Sequence, residues 1–283
     1  VGNPPYQIND GGNSASAIPL YHKFIEQAQK LNPRYLTMIT PSRWFSGGKG
    51  LDAFRDNMLK DKRIKIIHDF IDASECFSGV EIKGGVNYFL WERDYSGKCE
   101  ISTHLGDKKP SVSKRNLLEE GADVFIRYNE AISIFRKVIL HKEKSFSDIV
   151  STRKPFGLNT TFKGKTKYFT DSIKLYQNKG IAYIKSNEVK QNNHWINKYK
   201  IFVPYAVGSG DGKTDLIKPI YGEPNTCCTE TYLVLGPFES KEKSENAISY
   251  IKTKFFHFMV TLKKNTQHTT KKAYQFVPMQ DFN

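Results

Sequence analysis

Apolar positions return along the first third of the chain at two different intervals. Leu20, Phe24, Ile25, Ala28 and Leu31 recur at helical spacing, and Asn32-Pro33 stops that helix. Residues 35–40 form a short apolar run closed by Pro41, which predicts a strand. A second helical pattern covers residues 51–59, with Leu51, Phe54, Arg55, Met58 and Leu59 on related faces. Residues 64–71 and 86–91 read as two more strands. Strand, helix, strand, helix, strand at these lengths predicts an α/β fold whose sheet is parallel and built from crossover units.

Beyond residue 94 the pattern loosens. Residues 99–103 read as a strand and residues 107–115 as a Lys/Ser-rich loop. Residues 128–140 have helical spacing through Ile132, Phe135, Ile139 and Leu140, and lead toward a boundary placed at 141–147. The chain is thus expected to comprise units 1–145 and 146–283. In the second, lysines, glycines and aromatics interleave, as in Arg153-Lys154-Pro155-Phe156-Gly157 and Lys198-Tyr199-Lys200. Residues 181–184 and 232–235 predict strands, and residues 244–262 a long amphipathic segment, followed by the basic pairs Lys263-Lys264 and Lys271-Lys272. This mixture predicts an α+β unit.

A length of 283 residues suits two ordinary domains, and 39% hydrophobic with 13% aromatic residues is ample for packed cores. The net charge of +14 changes the picture more, because an excess of that size argues for a polyanionic partner, with nucleic acid the default. Cys76, Cys99, Cys227 and Cys228 include no C-x-x-C pair, so no metal site is expected and free thiols in a reducing cytoplasm are. No run of ~18 apolar residues and no leader pattern occurs, so neither a membrane span nor a signal peptide is expected. The chain opens on Val-Gly without an initiator Met, and is read as a fragment of a longer protein.

Candidate chemistry concentrates in Asn3-Pro4-Pro5-Tyr6. Two consecutive prolines fix φ and remove two backbone donors, which predicts a rigid, exposed corner with free carbonyls. Asn3 adds a side-chain carbonyl and Tyr6 a flat aromatic face. An exocyclic amine on a nucleobase is a poor nucleophile, because its lone pair is delocalised into the ring. Two acceptors held against its N–H groups would draw the nitrogen toward a tetrahedral geometry, while an aromatic ring holds the base in plane. Such a corner at the carboxyl end of a strand stands where α/β sheets place ligands.

Residues 1–6, Val-Gly-Asn-Pro-Pro-Tyr, resemble the catalytic motif of amino-methyltransferases, in particular the DNA adenine-N6 methyltransferases of restriction–modification systems. Three further segments, in family order, are similar to the TaqI-like enzymes. They are Leu20-Tyr21-His22-Lys23-Phe24-Ile25-Glu26, then Ile39-Thr40-Pro41-Ser42, and then Glu75-Cys76-Phe77. The resemblance implies S-adenosylmethionine as cofactor, with Phe24 packing near its adenosyl group. It implies that Asn3, Pro4, Pro5 and Tyr6 are catalytic, and that a flipped adenine lies between Tyr6 and Phe77. The fold it implies is the C-terminal half of a Rossmann-like methyltransferase sheet followed by a target-recognition domain.

The family's glycine-rich turn and acidic residue for S-adenosylmethionine precede the catalytic motif, so this chain is expected to carry only part of the cofactor pocket. The glycine clusters at 47–50 and 208–212 do not follow a strand and open a helix, and both are read as loops. Residues 7–16 are also read as a flexible loop beside the corner. The second unit resembles, more loosely, the TaqI-like specificity domain through residues 153–157 and 263–268. Arg153, Lys154, Lys263 and Lys264 are the expected DNA contacts. Double-stranded DNA is the implied partner, with a fused or separate restriction endonuclease as companion.

Three other readings stand beside this one. The chain serves as a non-catalytic DNA-specificity module on an inherited fold, or it methylates a glutamine side chain or RNA, since the same corner serves those amines. Alternatively, Asp72 with Glu81-Ile82-Lys83 forms the acid…Glu-x-Lys spacing of magnesium-dependent nucleases.

Overall fold

The computed structural model describes residues 1–8, 18–46, 48, 50–79, 82–208, 216–264 and 268–283. The chain divides into two compact units, Val1–Leu140 and His141–Asn283.

The first unit opens on a pair of two-residue strands, β1 (Gln7–Ile8) and β2 (Ile18–Pro19), which pair antiparallel. Gln7 and Ile8 are therefore not loop, and the rest of the expected flexible segment lies outside the described residues. There follow α1 (Tyr21–Lys30), β3 (Tyr35–Pro41), α2 (Asp52–Lys60), β4 (Ile64–Phe70), β5 (Val86–Glu92), β6 (Cys99–His104), β7 (Ser111–Arg115) and α3 (Ala131–Leu140). The sheet order is β3-β5-β4-β6-β7.

β4 runs parallel to β6, whereas β5 runs antiparallel to both β3 and β4 and fills the gap between them. The expectation of a wholly parallel sheet is corrected there. Among the described residues, the link from β4 to β5 holds only a 3-10 turn at Ala73–Glu75, too little to cross over, and the chain returns in the opposite direction. β3 and β4 keep the expected crossover through α2. At the far edge, Gly2 bridges Met38 in parallel, with Gly2 N donating to Thr37 O at 3.0 Å and Ile39 N to Gly2 O at 3.1 Å. The corner that follows Gly2 is thereby fixed beside β3.

α1 and α2 bury one face of this sheet. Tyr21 and Ile25 from α1 and Phe54 and Met58 from α2 share a core with Ile67, Phe89, Trp91 and Ile101. The inward stripe of α1 is Tyr21, Ile25 and partly buried Ala28, not the one read from sequence. Phe24 is 43% exposed and Leu31 83%, because Leu31 sits at the helix end and Phe24 one residue round from the core face. Asn32 at φ 50° turns the chain out of the helix. β7 was expected as loop. Its Lys/Ser-rich sequence conceals an edge strand, with Val112 59% exposed.

The second unit holds two three-stranded sheets. One orders β11 (Ile220–Gly222), β10 (Tyr199–Pro204) and β13 (Tyr232–Phe238), and the other β12 (Thr226–Cys228), β8 (Ser172–Gln177) and β9 (Gly180–Lys185). Leu175, Ala182, Phe202, Cys227 and Val234 meet in their shared core. The single amphipathic segment expected near the end is two helices, α4 (Lys241–Ile251) and α5 (Lys254–Thr261). The break falls at Thr253, whose hydroxyl accepts from Phe256 N at 3.1 Å and starts α5. Lys200 belongs to this core. Its Nζ donates to the carbonyls of Ile196, Lys198 and Glu223, and burial pulls its pKa down to about 8. No helix among the described residues is long and apolar enough to cross a membrane.

Candidate functional site

Asn3 is exposed, and no hydrogen bond among the described residues engages its side chain. Pro4, in contrast to the expected open corner, is buried, while Pro5 is exposed. Tyr6 is half-buried. Its carbonyl accepts from Leu20 N at 3.0 Å, which ties the corner to the start of α1. The phenol oxygen is buried with no hydrogen-bond partner. Burial, aided by the nearby Cys76 thiol, pushes its pKa up, so it stays neutral.

Phe77 is placed by the turn after β4. Asp72 accepts from Ser74 N at 2.9 Å and starts the 3-10 turn Ala73–Glu75, and Phe77 N donates to Ala73 O at 2.9 Å. Asn3, Tyr6 and Phe77 line one cavity of about 560 Å³, within the size range of small-ligand sites. Tyr21 and Pro41 form part of its apolar wall, and Arg43, Ile82 and Lys83 complete the rim. Tyr6 and Phe77 both line this space.

The wall from Pro41 to Arg43 is held from behind. Ser42 Oγ donates to Asp69 Oδ1 at 2.9 Å, and Asn87 Nδ2 donates to Thr40 O and Ser42 Oγ. Arg127 grips Asp69 through Nε and Nη2 and also donates to Gly84 O at 2.8 Å. Gly85, at φ +78°, accepts through its carbonyl from Ser42 N at 3.0 Å, and an added Cβ would run into the Phe70 carbonyl. These residues were not found from sequence. Their partners are dozens of positions away, and no local spacing announces the pairing.

Other expected site residues are dispersed. Phe24 does not line the cavity, although it stands one helical turn beyond Tyr21, which does. In the second unit, Arg153 is 58% exposed, pairs with Glu230 at 3.2 Å and lies 5.1 Å over the Tyr205 ring. Tyr205 stacks on His268 at 4.8 Å. Burial pulls the Glu230 carboxyl up, but hydrogen bonds from Thr160 and the charges of Arg153 and Lys154 outweigh it and hold its pKa down. Lys154 takes a left-handed φ of 65° and is half-buried.

Lys263 and Lys264, expected as phosphate contacts on a loop, are only 8% and 3% exposed. Lys263 Nζ donates to Gln275 Oε1 and sits 4.9 Å from the Phe276 ring centre. Burial takes both ammonium groups away from the surface, Lys263 against Gln275 and Phe276. Residues 265–267 lie outside the described residues, as do residues 47, 49 and 209–212 of the glycine clusters. So does Glu81 of the nuclease spacing. Asp72 serves the 3-10 turn and Lys83 the cavity rim, and no cluster of three metal-ligating side chains occurs among the described residues.

Residues 1–77 match the family model described as Eco57I restriction-modification methylase. An "Uncharacterized adenine-specific methylase" of Mycoplasma pneumoniae (strain ATCC 29342 / M129 / Subtype 1) is 40% identical over 148 residues, covering 49% of this chain and 33% of that protein. The chain therefore spans about a third of that relative's length. Among solved structures, the Type IIL restriction-modification enzyme MmeI, determined in complex with DNA, superposes with a TM-score of 0.50 at 10% identity. That superposition covers 94% of this chain and 41% of MmeI and bears on the fold alone. The type IIG restriction endonuclease BpuSI superposes more loosely, with a TM-score of 0.40 at 11% identity over 94% of this chain and 42% of BpuSI. In the sequence of residues 1–77 and in its α/β fold, the chain is similar to the adenine-specific methylases of restriction–modification systems, as the motifs around its proline corner implied.

Proposed function

We propose that this chain carries the target-base slot and a DNA-reading unit of a DNA adenine-N6 methyltransferase of a restriction–modification system. The observation that supports it best is the cavity beside β3, where an exposed Asn3 amide without a partner shares one space with Tyr6 and Phe77. Adenine enters only after it leaves the duplex stack, because its amine cannot be reached there. Tyr6 and Phe77 hold the ring, and the Asn3 side-chain oxygen and Pro4 carbonyl accept from the N6 amine. These acceptors gain most as the nitrogen becomes tetrahedral, so they lower the barrier rather than merely bind.

S-adenosylmethionine, when bound, supplies an electrophilic methyl group for direct transfer to that nitrogen. Of the described residues, Phe24 fits an adenosyl group. Its ring is open to solvent and lies one turn along α1 from the cavity wall at Tyr21. In the second unit, Arg153, Tyr205 and His268 form an exposed cation and stacked-ring group suited to backbone phosphates and base edges. Lys154 stands beside Arg153 in the same group, whereas buried Lys263 and Lys264 act by supporting the fold.

Asn3→Ala in the natural full-length protein tests the assignment. Transfer of a tritiated methyl group to DNA should be lost while specific DNA binding stays largely intact. Retained transfer would remove Asn3 from the chemistry. A non-catalytic specificity module would show no transfer in the parent protein either.

A further inference from the structure

The cavity that holds Asn3, Tyr6 and Phe77 has a charged rim that base stacking does not require. Arg43 and Lys83 both line it, and no acidic residue does among the described residues. Among the described residues, neither cation has an ion-pair partner. The position of Arg43 follows from its neighbours. In the 3-10 turn Ser42–Phe45, Ser42 is committed to Asp69, and Trp44 and Phe45 are fully buried in the core. Only Arg43 is left to face the cavity. Its charge is close enough to act on the Tyr21 phenol in the same wall. Lys83 lines it from the link that leads into β5.

Two cations beside an aromatic slot, with no acidic residue among the described ones lining it, match a ligand that carries both a flat ring and an anion. We infer that Arg43, with Lys83, binds a phosphate attached to the sugar of the extruded adenine nucleotide. The ring occupies the space between Tyr6 and Phe77 while the phosphate stays at the rim. A guanidinium offers forked N–H groups that suit phosphate oxygens, and lysine adds a mobile point charge. The slot then selects an extruded nucleotide of a strand over a free base. This inference rests on the proposed base slot.

The test compares 2-aminopurine deoxynucleoside with its 5′-monophosphate, each read by fluorescence quenching on the full-length protein. The monophosphate should bind roughly tenfold more tightly than the nucleoside, the gain expected of one charge-assisted contact. Arg43→Gln should remove that advantage and leave nucleoside binding unchanged, and Lys83→Gln should reduce it. Equal binding of the two probes by the parent protein overturns the phosphate site while keeping the base slot. Absence of nucleoside quenching, unaltered by Phe77→Ala, overturns both. If Arg43→Gln instead weakens S-adenosylmethionine and spares the monophosphate, the cation serves the cofactor's carboxylate and the inference fails.

Discussion

Arg127 closes on Asp69 through two parallel hydrogen bonds, Nε to Oδ2 and Nη2 to Oδ1, each 2.6 Å long, with the two side chains 4% and 0% exposed. Ser42 completes the carboxylate, so one ion pair joins the segment before α3 to the wall that presents Arg43. Removing one partner leaves a buried charge uncompensated, which costs ~3–5 kcal/mol. Arg127→Met should therefore lower the urea midpoint of the first unit sharply. The double variant Asp69→Leu/Arg127→Met should recover part of the loss, since the stranded carboxylate is gone. A double variant no better than the single one would place the cost elsewhere.

Phe77 touches no other ring in the cavity and reads as a stacking plate. Base–aromatic stacking contributes ~1–3 kcal/mol per base. Phe77→Ala should weaken binding of DNA carrying 2-aminopurine at the target by ten- to a hundredfold and abolish its quenching, whereas Phe77→Trp should keep both. The comparison is made by fluorescence titration, and wild-type quenching in Phe77→Ala would assign the plate to another residue.

His68 gives the first unit a dependence on pH. Its Nδ1 lies 3.0 Å from His104 Nε2, and its ring stacks on Tyr88 at 4.6 Å. Burial, then the neighbouring His104, pulls its pKa below the ordinary 6.5, with Glu100 opposing weakly. Below pH 6.5 the unfolded chain thus binds more protons than the folded one, so stability is present above that pH and is lost as pH falls. Melting temperature should drop between pH 7 and pH 5. His68→Phe should flatten that drop without erasing it, because burial lowers His22 in the same unit as well. An unchanged slope would exclude His68 as the source.

Arg153 and Lys263 should separate binding from folding. Arg153→Ala should weaken DNA binding at every sequence and reduce the magnitude of the log–log salt slope by about one, as expected when one phosphate contact is lost. Lys263→Ala should lower the melting temperature and leave the salt slope alone, since its ammonium is held by Gln275 and Phe276. Salt titrations of both variants decide the matter.

Much of the first unit was legible because its strands are apolar and its breaks carry Pro, Asn or Gly. β3, β4, β5 and β6 begin where the pattern begins and end within one residue of where it ends. The direction of β5 was not legible, since strand polarity depends on what fills the preceding link. The stripe of α1 was misread because Phe24 and Leu31 count as apolar whichever way they face. Asn3, Tyr6 and Phe77 could be named from short motifs, and they line one cavity. Arg43, Asp69 and Arg127 could not, because what commits them is a contact 58 residues long in sequence between Asp69 and Arg127. Burial of Lys200, Lys263 and Lys264 was equally hidden, since a lysine looks the same in sequence on either side of a surface.

β5 is the last of the three strands to be reached along the chain, yet it lies between the two that precede it. β3 and β4 are therefore joined only once the chain has passed the link after β4 and laid β5 between them. That stretch carries Phe77 and Lys83, so the strand that completes the hydrophobic layer is reached through residues that line the cavity. A lesion that unzips β5 is expected to remove both together.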